Sequence, residues 1–172
     1  MTDLMSYNEI VNFHGHTCPG LAIGYRMSLA ALKALESSRA KDEELVAIIE
    51  NDACGVDALQ CLSGCTFGKG NLLFHDYGKQ AYTLYSRNSS SGVRVVYHGN
   101  GIPSELRDDR PARIQRILSA TEEKLLTVTQ VDIPEPTPAR IMESRPCAIC
   151  GERVMTSRLE NNNLCIPCRE LT

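Results

Sequence analysis

The last part of this 172-residue chain carries four cysteines in two pairs, Cys147 with Cys150 and Cys165 with Cys168. Each pair has the spacing C-x2-C, and fourteen residues separate the pairs. A segment this short cannot fold on apolar burial alone. Four thiolates around one zinc supply the free energy that is missing. Gly151 follows the first pair, where such a knuckle favours a positive φ. Asn161, Asn162 and Asn163 mark the tip of the hairpin between the pairs. Redox dithiols or two disulfides are the alternatives, and the doubled spacing selects zinc over both. A site closed by four cysteines is structural rather than catalytic.

The remaining composition is that of an ordinary globular chain, 42% hydrophobic and 23% charged, long enough for one core and a small appendage. Net charge is −3, and residues 140–172 hold five arginines against four glutamates. That is a poor footprint for nucleic acid, which is not an expected partner. No apolar run approaches the roughly 18 residues that span a bilayer, so no membrane partner is expected. The stretch Met1-Thr2-Asp3-Leu4-Met5 lacks the basic and apolar regions of a secretory signal. Cytoplasmic localisation is therefore expected, and eight cysteines there read as ligands or reactive thiols.

Periodicity predicts an α+β fold, with helices on a mainly antiparallel sheet and a small C-terminal zinc-ribbon domain. A short helix over 4–13 leads into the loop His14-Gly15-His16-Thr17-Cys18. Pro19 suits the first turn of a second helix running to about residue 36. Residues 44–50 read as a buried strand, and 53–63 as a helix capped by Asp52. A hairpin is expected from strands at 77–86 and 93–98, then a helix over 104–120 and a strand ending at 131. Three prolines between 133 and 138 form a stiff linker. The domain reading is a core over 1–132, a linker over 133–144 and a four-cysteine domain over 145–172.

The other four cysteines are Cys18, Cys54, Cys61 and Cys65. On the 53–63 helix, Cys54, Asp57, Ala58 and Cys61 share one face. Cys54 in a first turn and Cys18 just before Pro19 both sit where a helix dipole favours thiolate. With His14 and His16 they make a mixed sulfur and nitrogen metal site, toward which Cys65 can turn back. Both histidines can face inward only if the loop kinks at Gly15, so one ligand and one proton carrier are expected. Cys61 reads as a small buried hydrophobe. Asp57 is either a satisfied helix carboxylate or part of the site. The loop 64–71 lacks the spacing of a nucleotide-phosphate loop, but Lys69 and its backbone N–H groups can hold an anion.

These motifs carry a resemblance. The stretch His14-Gly15-His16-Thr17-Cys18-Pro19-Gly20-Leu21-Ala22-Ile23-Gly24, with Cys54, Asp57, Ala58 and Gln60, is one part of it. Gly64-Cys65-Thr66, Gly68-Lys69-Gly70-Asn71-Leu72 and Asp76-Tyr77-Gly78-Lys79 complete it. Together they resemble the formylmethanofuran dehydrogenase E-subunit family (FmdE) over roughly residues 10–100. The resemblance implies an α+β core, a homodimer, and association with a larger molybdenum or tungsten dehydrogenase. It places the cleft residues on His16, Cys18, Cys54 and Cys65, with His14 and Asp57 close by.

The preferred reading is a metal-binding protein with two metals. A structural zinc sits in the tail. A second ion of unknown identity is held by His16, Cys18, Cys54 and Cys65, and Asp57 orients a ligand. Cys18, Cys54, Asp57 and His14 are the candidate catalytic groups, and Lys69 the candidate cofactor-binding one. The site then serves redox or one-carbon chemistry as an accessory to an oxidoreductase. Two other readings are open. One is a stand-alone thiol-redox or sulfur-handling enzyme. The other is a regulator whose zinc ribbon contacts protein or nucleic acid.

Overall fold

The structure is a computed structural model that describes residues 4–160 and 163–171. The chain divides into two compact units, Met1–Pro138 and Ala139–Thr172.

The first unit is built on a five-stranded sheet of order β2-β1-β3-β4-β5. Its strands are β1 (Leu45–Ile49), β2 (Leu72–Phe74), β3 (Ala81–Ser86), β4 (Ser91–Tyr97) and β5 (Leu126–Val131). Only the β1–β2 pair is parallel; the three other pairings are antiparallel. All six residues of β3 are buried, as befits the central strand. Tyr82 and Leu84 face the main apolar core, and Thr83 pairs with Arg94 on β4. Arg94 also reaches the buried Glu50 carboxylate at 2.7 Å, which answers a charge that would be costly alone.

Four helices complete the unit: α1 (Tyr7–His14), α2 (Pro19–Ala34), α3 (Gly55–Ser63) and α4 (Arg110–Ser119). Helix α2 is the central one. It buries Leu21, Ile23, Met27 and Leu32 and packs on α3, α4 and the sheet. Each such side chain contributes about 1.5–3 kcal/mol of transfer free energy. The α2–α3 contact needs two glycines. A Cβ on Gly24 would lie 2.2 Å from the Gly55 carbonyl oxygen, and one on Gly55 would lie 2.9 Å from Gly24 Cα. The two helices touch backbone to backbone, and this brings their N-termini together.

Most expected elements are present, with shifted bounds. The 104–120 helix is in fact a 3₁₀ turn at Ser104–Leu106 followed by α4. Pro111 stands in the first turn of α4 and Asp109 caps it, so the helix starts there instead of continuing from upstream. The short parallel strand β2 was not expected. The proline-rich stretch does not run free of the core over its whole length. Pro136 is buried, and Arg87 Nη1 donates to its carbonyl at 2.8 Å and to Glu135 at 2.6 Å.

The second unit holds two small hairpins. One pairs β6 (Ser144–Pro146) with β7 (Arg153–Met155), and the other pairs β8 (Leu159–Glu160) with β9 (Leu164–Cys165). A last helix, α5 (Ile166–Glu170), follows. Asn161 and Asn162, expected at the hairpin tip, lie outside the described residues. Asn163 takes φ 63° and Gly151 takes φ 75°. Among the described residues, no helix is long and apolar enough to cross a membrane.

Candidate metal centres

The N-terminal site forms where three segments meet. Helix α1 ends on His14, and Gly15 follows in the left-handed conformation at φ 91°. This supplies the kink that lets both histidines turn the same way, and their ring centroids stand 4.5 Å apart. Cys18 caps α2, and its Sγ accepts a hydrogen bond from the Leu21 N–H at 3.3 Å. Cys54 is the N-cap residue of α3 and makes no side-chain cap bond, which leaves its sulfur free. The ligand atoms of His14, His16, Cys18 and Cys54 all lie within 4.8 Å of one another. The four can therefore hold a metal ion.

Asp57, in the first turn of α3, orients this group. Its Oδ2 lies 2.6 Å from His14 Nδ1, and Gln60 Nε2 donates to its Oδ1 at 3.4 Å. A ring nitrogen that donates to a carboxylate leaves the other nitrogen as the lone-pair donor. That other atom, His14 Nε2, is buried and has no hydrogen-bond partner. Buried polar atoms are nearly always paired, and an orphan beside two thiols is what a missing cation explains. Burial, then the neighbouring Cys18, push the Cys54 thiol up. The helix dipole expected to favour thiolate at Cys54 is thus outweighed, and a cation would reverse the balance.

Three residues differ from their expected places. Cys65 is fully buried in the apolar core and stands outside the ligand group. Its N–H donates to Ser63 Oγ, and burial pushes its thiol up to about 11. The αL cap at Gly64 turns the chain into the core instead of back to the site, and His14 takes the fourth position. His14 is thus grouped with the ligands and not set apart as a proton carrier. Lys69 lines neither face of the site; its Nζ donates to the Asp42 carbonyl at 3.2 Å. Asn71 closes that loop, bonding Thr66, Asp42 and Leu45, so it is a packed turn. Cys61 is buried as a small hydrophobe in the core.

Two clefts flank the group. One, of about 410 Å³, reaches His14, Cys54 and Asp57 between Ile49, Phe67 and Phe74. The other, of about 590 Å³, reaches His16, Cys18 and Cys54 and is bordered by Arg107, Arg110 and Arg113. Beneath the site, the Tyr82 hydroxyl is buried without a partner, and a Cβ on Gly55 would lie 2.6 Å from it. Sequence reasoning missed these arginines and Tyr82. The arginines lie some ninety residues from Cys18, and Tyr82 has the pattern of any core strand.

In the tail, the sulfurs of Cys147, Cys150, Cys165 and Cys168 also lie within 4.8 Å of one another. The Cys165 N–H donates to Cys147 Sγ at 3.4 Å, and Cys150 Sγ lies 3.9 Å from Cys165 Sγ. Backbone N–H groups of Cys165, Cys150 and Ile149 pull the Cys147 thiol down to about 6. The adjoining sulfurs, Cys165 first, push Cys168 up to about 12. All eight cysteines are free thiols. This cluster fits a zinc-ribbon-like tail.

The family model described as "FmdE, Molybdenum formylmethanofuran dehydrogenase operon" matches residues 13–129. The chain belongs to the FmdE family. Its fold is similar to a solved FmdE-like protein of tungsten formylmethanofuran dehydrogenase from Syntrophus aciditrophicus. The TM-score is 0.76 at 27% identity, covering 98% of this chain and 94% of that one. A probable S-adenosyl-L-methionine-binding protein of Archaeoglobus fulgidus is 30% identical over 91% of this chain. The chain spans only 50% of the length of that relative. For this FmdE protein, the match begins one residue before His14 and covers Cys18, Cys54 and Asp57. It ends before the tail cysteines.

Proposed function

We propose that this FmdE protein is a two-zinc protein whose core ion is held by His14 Nε2, His16, Cys18 and Cys54. The orphaned, buried His14 Nε2 beside two thiols carries this reading. Two thiolates and two imidazoles are a donor set that suits zinc in particular. Asp57 holds the His14 ring in the tautomer and orientation that present Nε2. When bound, such an ion supplies a positive charge that polarises a ligand oxygen. His16 is the exposed member of the set, so the site faces solvent on that side. The tail zinc, on Cys147, Cys150, Cys165 and Cys168, is structural.

In this reading the protein is cytoplasmic and homodimeric. It serves redox or one-carbon chemistry beside a larger molybdenum or tungsten dehydrogenase, as the family description suggests. Elemental analysis tests the metal assignment: two zinc per chain in the wild type, and one in a His14→Ala variant that still folds. A full complement in that variant refutes the core site.

A thiol-redox enzyme is the second reading, because Cys18 Sγ and Cys54 Sγ are close neighbours. The upward shift of the Cys54 thiol opposes it. Rapid iodoacetamide capture of Cys18 or Cys54 near neutral pH, with turnover, would favour it over metal binding.

A further inference from the structure

Three buried side-chain polar atoms lack partners among the described residues: His14 Nε2, Tyr82 Oη and Arg113 Nε. The metal reading accounts for the first. Arg113 belongs to the cleft of about 590 Å³ that His16, Cys18 and Cys54 share with Arg107 and Arg110. None of these three arginines is in an ion pair among the described residues. Asp108 is the only carboxylate lining the cleft. Two thiolates on one divalent ion make a neutral centre, so the guanidinium groups have no resident charge to balance. Pro19 and Gly20 bring the N-terminus of the 16-residue helix α2 to the same wall. Its first N–H groups have no intrahelical acceptors, and its dipole adds positive potential.

We infer that this cleft takes an oxyanion, a carboxylate or phosphate group of a small molecule. Arg107, Arg110 and Arg113 hold it beside His16, Cys18 and Cys54. Planar guanidinium groups bind such oxygens through paired, charge-assisted hydrogen bonds. The inference rests on the metal reading above, since it names the ligand class that this site takes. The arginines are absent from the motifs that first pointed to the cleft, and the Lys69 loop, the anion site expected from sequence, lies elsewhere.

The test is calorimetric titration of the full, metal-loaded chain with inorganic phosphate and, separately, with succinate. Sodium chloride at equal ionic strength is the control. The double variant Arg107→Gln/Arg110→Gln alters only exposed side chains, so its fold persists. Saturable binding of either probe, weakened at least about tenfold in the double variant at unchanged metal content, supports the subsite. The probe that binds more tightly identifies the oxyanion. Equal affinity in wild type and variant overturns it, as does loaded protein that binds neither probe; the metal reading then stands. Wild-type protein with no core metal that still binds a probe, and loses it in the variant, supports the subsite and overturns the metal reading alone.

Discussion

His14 Nδ1 and Asp57 Oδ2 meet at 2.6 Å across 43 residues of sequence. The carboxylate fixes which imidazole nitrogen faces the two thiols. Asp57→Asn keeps the side chain's size but loses the acceptor that selects the tautomer. Core zinc affinity, measured by competition with a chromophoric chelator, should fall by about 10–100-fold. The thermal midpoint of the metal-free protein should change little. Unaltered affinity would mean that Asp57 is only a helix-start carboxylate.

Gly24 and Gly55 govern how closely Cys18 and Cys54 approach. Gly24→Ala puts a methyl group 2.2 Å from the Gly55 carbonyl oxygen, and backbone cannot yield there as a side chain would. The variant should lose roughly 1–3 kcal/mol of stability and bind core metal more weakly, because α2 is pushed off α3. Gly68→Ala, with open space around the added methyl group, is the control and should leave both unchanged. Urea unfolding and metal competition on the two variants check this pair of outcomes.

Cys65 makes stability depend on alkaline pH. Its thiol is held up to about 11 by burial, whereas an unfolded thiol ionises near about 8.5. Below the unfolded value both states keep the proton, and the fold has its full stability. As pH rises further, the unfolded chain loses its proton first, and up to roughly 3 kcal/mol is lost by the time pH passes the folded value. Urea midpoints between pH 8 and pH 10.5 should therefore fall more steeply in wild type than in Cys65→Ala. The variant should start lower at pH 8, because a packed side chain is gone. Parallel curves would contradict the assignment.

Chelation should act on the two units separately. Treatment of the full chain with a strong chelator should abolish the protection of tail amides around Cys147 and Cys165 from hydrogen exchange. Amides of β3, buried along its whole length, should stay protected. Loss of protection in both units together would show that the core also depends on its metal to fold.

How far the sequence could be read depended on the range of the interactions. Cys18 before Pro19 announced a capped helix start, since capping is local chemistry. Asp57 three residues after Cys54 was placed by helical spacing, and the tail by its doubled knuckle. The ligand set was harder. Cys65 follows Cys61 and Gly64 closely enough to suggest a return to the site, but the left-handed cap at Gly64 sends it into the core. Whether Gly15 would bring both histidines inward is a single dihedral, and no pattern of residue types states it. The arginines of the cleft approach Cys18 through the packing of α4 on α2, a tertiary contact without a periodic signature. Strand β2 is three residues long and was lost inside the glycine-bearing loop that precedes it.

Counting metal per chain tests the central claim most directly. Elemental analysis of the full-length protein, beside its Cys18→Ser/Cys54→Ser variant, should give two zinc per chain in the first and one in the second, with the tail still folded. One zinc in both proteins, or two in both, would contradict a core centre built on His14, His16, Cys18 and Cys54.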